Sequence, residues 1–313
     1  MASRLQRDAT NMAHPVTQPI VSKTTLRESN VAKFEILQML ARGGTASVYL
    51  AEHTITHKRV ALKLLDPVLA RHPEIAERFV QEPRVSRAVK HPGLVEVSHA
   101  DQTDAGVPYL IMELLDGENL AALVENGMPA LDAILAIGTQ IAAAVSAMHR
   151  VGFIHCDVKP HNVFVLYDDM STGWPRIKVI DYGVARTVDE SPLHDGMIMG
   201  TPAYMPPEQW EGEPTTKSDV YSLGCLLYEL ITGEQPFSGT LPQLLILHTD
   251  QLPERPSTYR SSTPPALDAF VLRMLAKDPA MRPTMAEVET TLEQLAWKLS
   301  TAVPLPTMHR EAV

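Results

Sequence analysis

The sequence predicts an α+β fold in two lobes, a small β-rich half followed by a larger helical half. Three observations lead there. Residues Phe34 to Leu65 read as three runs of alternating apolar and polar residues, FEILQML, SVYLAEH and RVALKLL, separated by glycine-containing or polar turns. After Gly117 the pattern changes to helical segments, among them the 131–149 run, SDVYSLGCLLYELITG and MAEVETTLEQLAWKL. The length of 313 residues suffices for one large domain or two lobes around a genuine core.

Taken in order, residues 1–33 are polar and aperiodic and read as a flexible tail. The three strand signals follow, and then PEIAERFVQEPRVSRAVK, helical in composition but interrupted by Pro83. LVEVSHA and VPYLIMELL read as two further strands. A hinge is expected near Glu113 to Asp116, dividing an N-lobe of 34–115 from a C-lobe of 116–299. The helices then run to about Leu299, and 300–313, with two prolines and no amphipathic pattern, read as a second tail.

Hydrophobic residues at 45% and charged residues at 20% exclude disorder, collagen and coiled coil as whole-chain answers. The balance of 27 Lys+Arg against 37 Asp+Glu, a net charge of -10, argues against nucleic acid as a partner. Two cysteines, Cys156 and Cys225, are too few and too distant for a disulfide framework, which points to a reducing compartment. The N-terminus lacks the apolar run and cleavage site of a signal peptide. The apolar window 129–148 contains Asp132, Thr139 and Gln140, and reads as a buried helix rather than a membrane span. A cytoplasmic location is therefore expected.

Ala41-Arg42-Gly43-Gly44-Thr45-Ala46-Ser47-Val48 lies between two strand signals. Adjacent glycines there serve a plain hairpin or a turn that covers phosphates. Val60-Ala61-Leu62-Lys63 follows on the next strand, and its lysine either reaches solvent or reaches those phosphates. His155-Cys156-Asp157-Val158-Lys159-Pro160-His161-Asn162 and Asp181-Tyr182-Gly183 come later, each of which, taken alone, could be a turn. In this order and spacing the set resembles the signatures of the eukaryotic-type (Hanks-type) Ser/Thr protein kinase family, most closely its bacterial members. The resemblance covers about Phe34 to Leu299. It includes Gly200 to Glu208, Ser218 to Gly224, and Arg282-Pro283.

The resemblance implies a bilobal protein kinase-like fold with one regulatory helix in the N-lobe, and ATP and Mg²⁺ as cofactors. It also implies transfer of the γ-phosphate to Ser or Thr of protein substrates, the chain itself included. Asp157 is implied as the base or orienting carboxylate, Lys159 as the residue beside the transferred phosphate, and Asn162 and Asp181 as the metal ligands. Lys63 is implied to hold the phosphates, with Glu82 as its partner. Leu40, Ala41, Gly43, Gly44, Val48, Ala61, Met112 (as gatekeeper), Glu113 and Leu115 are implied to surround the nucleotide. For the apolar members of that set, ordinary strand core is an equally good reading of the sequence. Asp219 resembles the aspartate that ties a helix to the catalytic loop backbone, and Glu208 with Arg282 resembles a buried structural pair. Lys159 and Thr201 both point to Ser/Thr rather than Tyr acceptors. Rival readings are a catalytically silent scaffold that keeps the fold, and a kinase of small molecules. A thiol catalyst built on His155 and Cys156 has no other residue to support it. Regulatory protein partners are expected, because the kinase-like segment leaves little chain for a sensor.

Four departures from the family pattern carry expectations of their own. Ala41 and Ala46 replace glycines and should stiffen the loop. Cys156 replaces the arginine that pairs with a phosphorylated activation loop, so activity should not depend on phosphorylation at Thr187 or Ser191. Pro83, directly after Glu82, should bend the regulatory helix or start a second segment there, at roughly 3 kcal/mol if the helix were continuous. The link from Asn162 to Asp181, with Asp168, Asp169, Gly173 and Pro175, reads as an exposed loop without the ligand spacing of a calcium loop.

Overall fold

The computed structural model describes residues 33–125, 127–167, 175–188 and 200–302. Residues 1–32, Asp168, Asp169, Gly173 and Ser191 lie outside the described residues, and so do the expectations placed on them.

The N-lobe is an antiparallel sheet of five strands. These are β1 (Phe34–Arg42), β2 (Ala46–His53), β3 (Arg59–Leu65), β4 (Val97–Gln102) and β5 (Pro108–Met112). They lie in the order β1-β2-β3-β5-β4. The alternation read in RVALKLL sorts its residues to two faces. Val60, Leu62 and Leu64 join Tyr49, Tyr109 and Ile111 in one buried cluster, while Leu65 and Leu110 belong to the larger core on the opposite face. Lys63 shares that second face and is paired across the sheet with Val48 and Leu110.

Two short helices pack on the inner face in place of one continuous regulatory helix, α1 (Pro73–Phe79) and α2 (Glu82–Ala88). The break at Val80 and Gln81 falls where Pro83 predicted it. The expected penalty is absent. Gln81 stands at the N-cap position of α2 without a side-chain capping bond, so Pro83 occupies the first turn, where the missing N–H would have had no helical partner.

The chain crosses to the C-lobe after Met112. Gly117 opens β6 (Gly117–Asn119), where a side chain would place its Cβ 2.0 Å from the Val165 carbonyl oxygen, so only glycine fits against the neighbouring strand. The neighbour is β8 (Val163–Leu166), which pairs with β9 (Ile177–Val179) to complete a three-stranded sheet. A smaller pair joins β7 (Phe153–Ile154) to β10 (Arg186–Thr187). Thr187, expected to be an exposed hydroxyl, is only half-exposed because it lies in that pair.

The C-lobe helices are α3 (Leu120–Glu125), α4 (Leu131–Arg150), α5 (Pro207–Trp210), α6 (Thr216–Thr232), α7 (Leu241–Asp250), α8 (Pro256–Tyr259), α9 (Pro265–Met274) and α10 (Met285–Ala302). α10 extends three residues into what was read as the C-terminal tail. α4 is the single described helix long and apolar enough to cross a membrane, but it packs against α6 and α10 with most of its length buried, as the sequence predicted. Its Ile134, Leu135, Ile141 and Met148 are fully buried. Both cysteines are free and buried.

Candidate active site

Strand register brings Lys63 to the site. Its ammonium donates to Glu82 Oε1 at 2.6 Å and to Asp181 Oδ1 at 2.8 Å, spanning β3, the start of α2 and the end of β9. The Phe79 ring lies 5.5 Å from the same Nζ. Lys63 is buried and Glu82 is 1% exposed, whereas the Asp181 side chain is 37% exposed. Burial alone would push the Asp181 carboxyl up, but the Lys63 ammonium outweighs it and brings it down to about 2. Two carboxylates share one ammonium, and Asp181, the one that reaches solvent, is the one held ionised.

Hairpin geometry brings Asn162 beside Asp181. Val163 pairs with Val179, and one residue back the Ile180 N–H donates to the Asn162 carbonyl at 2.8 Å. Asp181 therefore begins just past the end of the paired strands, with φ 69, and the Gly183 N–H donates to its Oδ1 at 3.1 Å. Asn162 uses its Nδ2 on Asp157, on the carbonyl and on Oδ2, both at 2.9 Å. Its amide oxygen and the second Asp181 oxygen are hard donors of the type Mg²⁺ takes. Among the described residues no three His, Cys, Asp or Glu side chains gather into a metal-binding group. The fit to Mg²⁺ rests on those two oxygens, hard donors of the kind that take such an ion together with substrate phosphates.

The Asp157 carboxylate is fixed from three sides. Oδ1 accepts from the Thr201 hydroxyl at 2.7 Å, and Oδ2 accepts from Asn162 and from Lys159 Nζ at 2.8 Å. Lys159 also donates to the Thr201 oxygen at 2.6 Å. The loop under Asp157 hangs from Asp219 in α6, whose two oxygens accept the His155 and Cys156 N–H groups, both at 2.8 Å. His149 at the end of α4 lies 2.8 Å from the same carboxylate, a contact with no local sequence signal. His155 is fully buried, as a packing residue should be.

The residues expected to surround a nucleotide lie on the sheet, the turn at its edge and the crossing between the lobes. Ala61 is paired with Met112 and Ala41 with Val48, around a turn closed by the Gly43 N–H on the Ala46 carbonyl at 2.9 Å. Leu40 is 46% exposed, and Gly43 and Gly44 are also open to solvent. Ala41 and Ala46 lie in the paired extended strands, and neither has positive φ, so their backbone does not call for glycine. Glu113 departs in part from its expected role. Its N–H donates to the Glu96 carbonyl at 3.0 Å and its carboxylate pairs with Lys178 at 2.6 Å. Leu115, at the far end of the crossing, packs partly buried against the main core. Sequence reasoning missed Lys178, a lone polar residue in a short strand.

The grounds for the silent-scaffold reading were the substituted loop and Pro83. The extended alanines and the formed Lys63–Glu82 pair remove both.

A family model described as the protein kinase domain matches residues 34–292. The serine/threonine-protein kinase Pkn1 of Myxococcus xanthus is 37% identical over 275 residues, covering 86% of this chain and 39% of the relative. PknB of Mycolicibacterium smegmatis is 36% identical over 270 residues, covering 83% and 42%. The chain thus spans about two fifths of the length of these curated relatives. Among solved structures, the Mycobacterium tuberculosis PknI kinase domain superposes with a TM-score of 0.65 at 26% identity, over 85% of this chain and 96% of that one. With the motif order, the two-lobed fold and the joined Lys63, Asp157, Asn162 and Asp181 in agreement, this chain belongs to the protein kinase domain family, beside the bacterial serine/threonine-protein kinases.

Proposed function

We propose that the protein transfers the γ-phosphate of ATP to Ser and Thr hydroxyls of protein substrates, itself among them, with Mg²⁺ as the metal. The observation that carries this reading is the Thr201 hydroxyl seated on Asp157 Oδ1, with the Lys159 ammonium on the Thr201 oxygen and on Asp157 Oδ2. A carboxylate that already accepts one hydroxyl beside a cation has the chemistry to orient a second, that of the substrate, for attack on phosphorus.

In this reading Lys63, held by Glu82 and Asp181, meets the nucleotide phosphates. Asp157 accepts the hydrogen bond of the acceptor hydroxyl and Lys159 lies beside the phosphoryl group in transit. The hydroxyl oxygen forms the new bond to phosphorus, the bond to the ADP oxygen breaks, and the proton leaves by way of Asp157. Asn162 and Asp181 would hold Mg²⁺, which neutralises charge on the phosphates. The remaining elements position these groups and exclude water. Two free, buried cysteines favour a reducing compartment, and we place the protein in the cytoplasm. Its substrates are Ser/Thr-containing proteins, and its regulation comes through partner proteins.

The test is radiolabel transfer with Mg²⁺ and ATP, to the protein itself and to a generic acceptor, with phosphosites mapped by mass spectrometry. Asp157→Asn and Lys63→Met should each abolish transfer while the melting transition persists. Undiminished labelling by folded Asp157→Asn would sink the mechanism.

A further inference from the structure

Cys156, immediately before Asp157, adopts the left-handed region with φ 65, a conformation that is unfavourable for any residue with a Cβ by roughly 1–2 kcal/mol. Two buried side chains from different helices hold it there. Asp219 of α6 accepts from its N–H at 2.8 Å, and Gln209 of α5 donates from Nε2 to its carbonyl at 2.8 Å. That carbonyl belongs to the peptide that leads directly into Asp157, so its direction sets where the Asp157 carboxylate points.

The Gln209 bond is also closely packed. Gly200 passes over it so tightly that a Cβ there would lie 2.5 Å from Gln209 Nε2 and 2.9 Å from the Cys156 oxygen. With φ 116 and no room for a side chain, Gly200 can only be glycine. The next residue is Thr201, whose hydroxyl meets Asp157. One junction therefore joins three pieces: the catalytic loop at Cys156 and Asp157, the segment end at Gly200 and Thr201, and α5 through Gln209. Its described bonds run through the Gln209 amide and the Asp219 carboxylate.

We propose that Gln209 is a positioning residue for phosphoryl transfer. Acting through the Cys156 carbonyl beneath Gly200, it clasps the Gly200–Trp210 segment onto the catalytic loop. It thereby orders the site without the phosphate-and-arginine pair that Cys156 precludes. The inference rests on the kinase reading above and extends it to how the site is held in its working geometry. A displacement of about 1 Å in a reacting group is enough to lower a rate by as much as 10²-fold, so the contribution should be read in turnover rather than in binding.

Two substitutions separate the donor from the rest of the side chain. Gln209→Met keeps the length and removes both polar atoms, and Gln209→Glu keeps an oxygen but offers no donor when ionised. In steady-state kinetics with a peptide acceptor, each should lower kcat tenfold or more while KM for ATP, and the affinity for a non-hydrolysable ATP analogue, stay within twofold of wild type. The wild type should keep its rate after phosphatase treatment. Folded variants with kcat within twofold of wild type would overturn the clasp, and so would a wild type silenced by phosphatase. Loss of cooperative melting in both variants would also overturn it, since Gln209 would then be a folding residue. Wild-type protein measured alongside separates this inference from its basis: absence of transfer by the wild type would bring down the kinase reading and the clasp with it.

Discussion

Asp157 has its negative charge fixed by three side chains, and the hydroxyl of Thr201 is the one whose removal tests the arrangement least invasively. Thr201→Ala takes a hydrogen bond from a carboxylate and one partner from Lys159. A bond to a charged group contributes on the order of 1.5–3 kcal/mol, so kcat should fall about tenfold or more, whereas Thr201→Ser should keep most of the rate. Equal rates for the alanine and serine variants would remove the hydroxyl from the account. Arg282 shows the structural counterpart. Its guanidinium is fully buried, bidentate on Glu208 at 2.6 and 3.0 Å, with further bonds to the Ala276, Lys217 and Lys277 carbonyls. Arg282→Ala would leave Glu208 as a buried charge with only Ser218 to answer it, a loss of about 3–5 kcal/mol that urea denaturation would read as a lowered midpoint. Arg282→Lys should rescue little, because an ammonium cannot reproduce the planar fork.

At the scale of elements, the break between α1 and α2 decides how Glu82 reaches Lys63. Glu82 is the first residue of α2 and is buried, so the start of that helix, rather than its middle, is aimed at the ammonium. Pro83 suits the first turn and forbids the two helices from fusing. Pro83→Ala should therefore change stability by no more than about 1 kcal/mol and leave transfer close to wild type, as chemical denaturation and initial rates would show. A loss of several kcal/mol would mean that proline shapes α2 more than its position implies. The break itself was legible in the sequence, because proline acts on its own backbone. So was the strand that carries Lys63 and Ala61, since alternation is a local signal. The contacts of Gln209 with Cys156, His149 with Asp219 and Lys178 with Glu113 were not, because each joins residues more than fifty positions apart through packing that leaves no periodic trace.

At the scale of the whole molecule, one source of acid sensitivity lies away from Lys63 and Asp157, where α7 meets α6 and the segment after α9. His248 is fully buried there, its Nδ1 3.0 Å from the Tyr221 hydroxyl, with Phe237 edge-on and Lys277 bonded to the His248 carbonyl. Burial, reinforced by the Lys277 charge, pushes the imidazole down to about 4 from an ordinary value near 6.5. As pH falls through 6.5 the unfolded chain takes up a proton that the native protein refuses until about pH 4. The unfolded state binds more protons across that window, and stability falls with pH, by about 3 kcal/mol in all if the site stays dry. A second stage follows at lower pH. Asp181 is held down by Lys63 and Asp219 by His149, both against the opposing effect of burial, so the stability they contribute above about pH 4 is lost as the folded carboxylates protonate. Glu82, whose carboxyl burial pushes up to about 7 against the pull of Lys63, works in the opposite sense over the same window, so the test is a difference: in urea denaturation between pH 7 and 4.5 the wild-type midpoint should lose ground, as pH falls, relative to His248→Gln, whose amide does not titrate. Parallel slopes for the two proteins would place the acid sensitivity elsewhere.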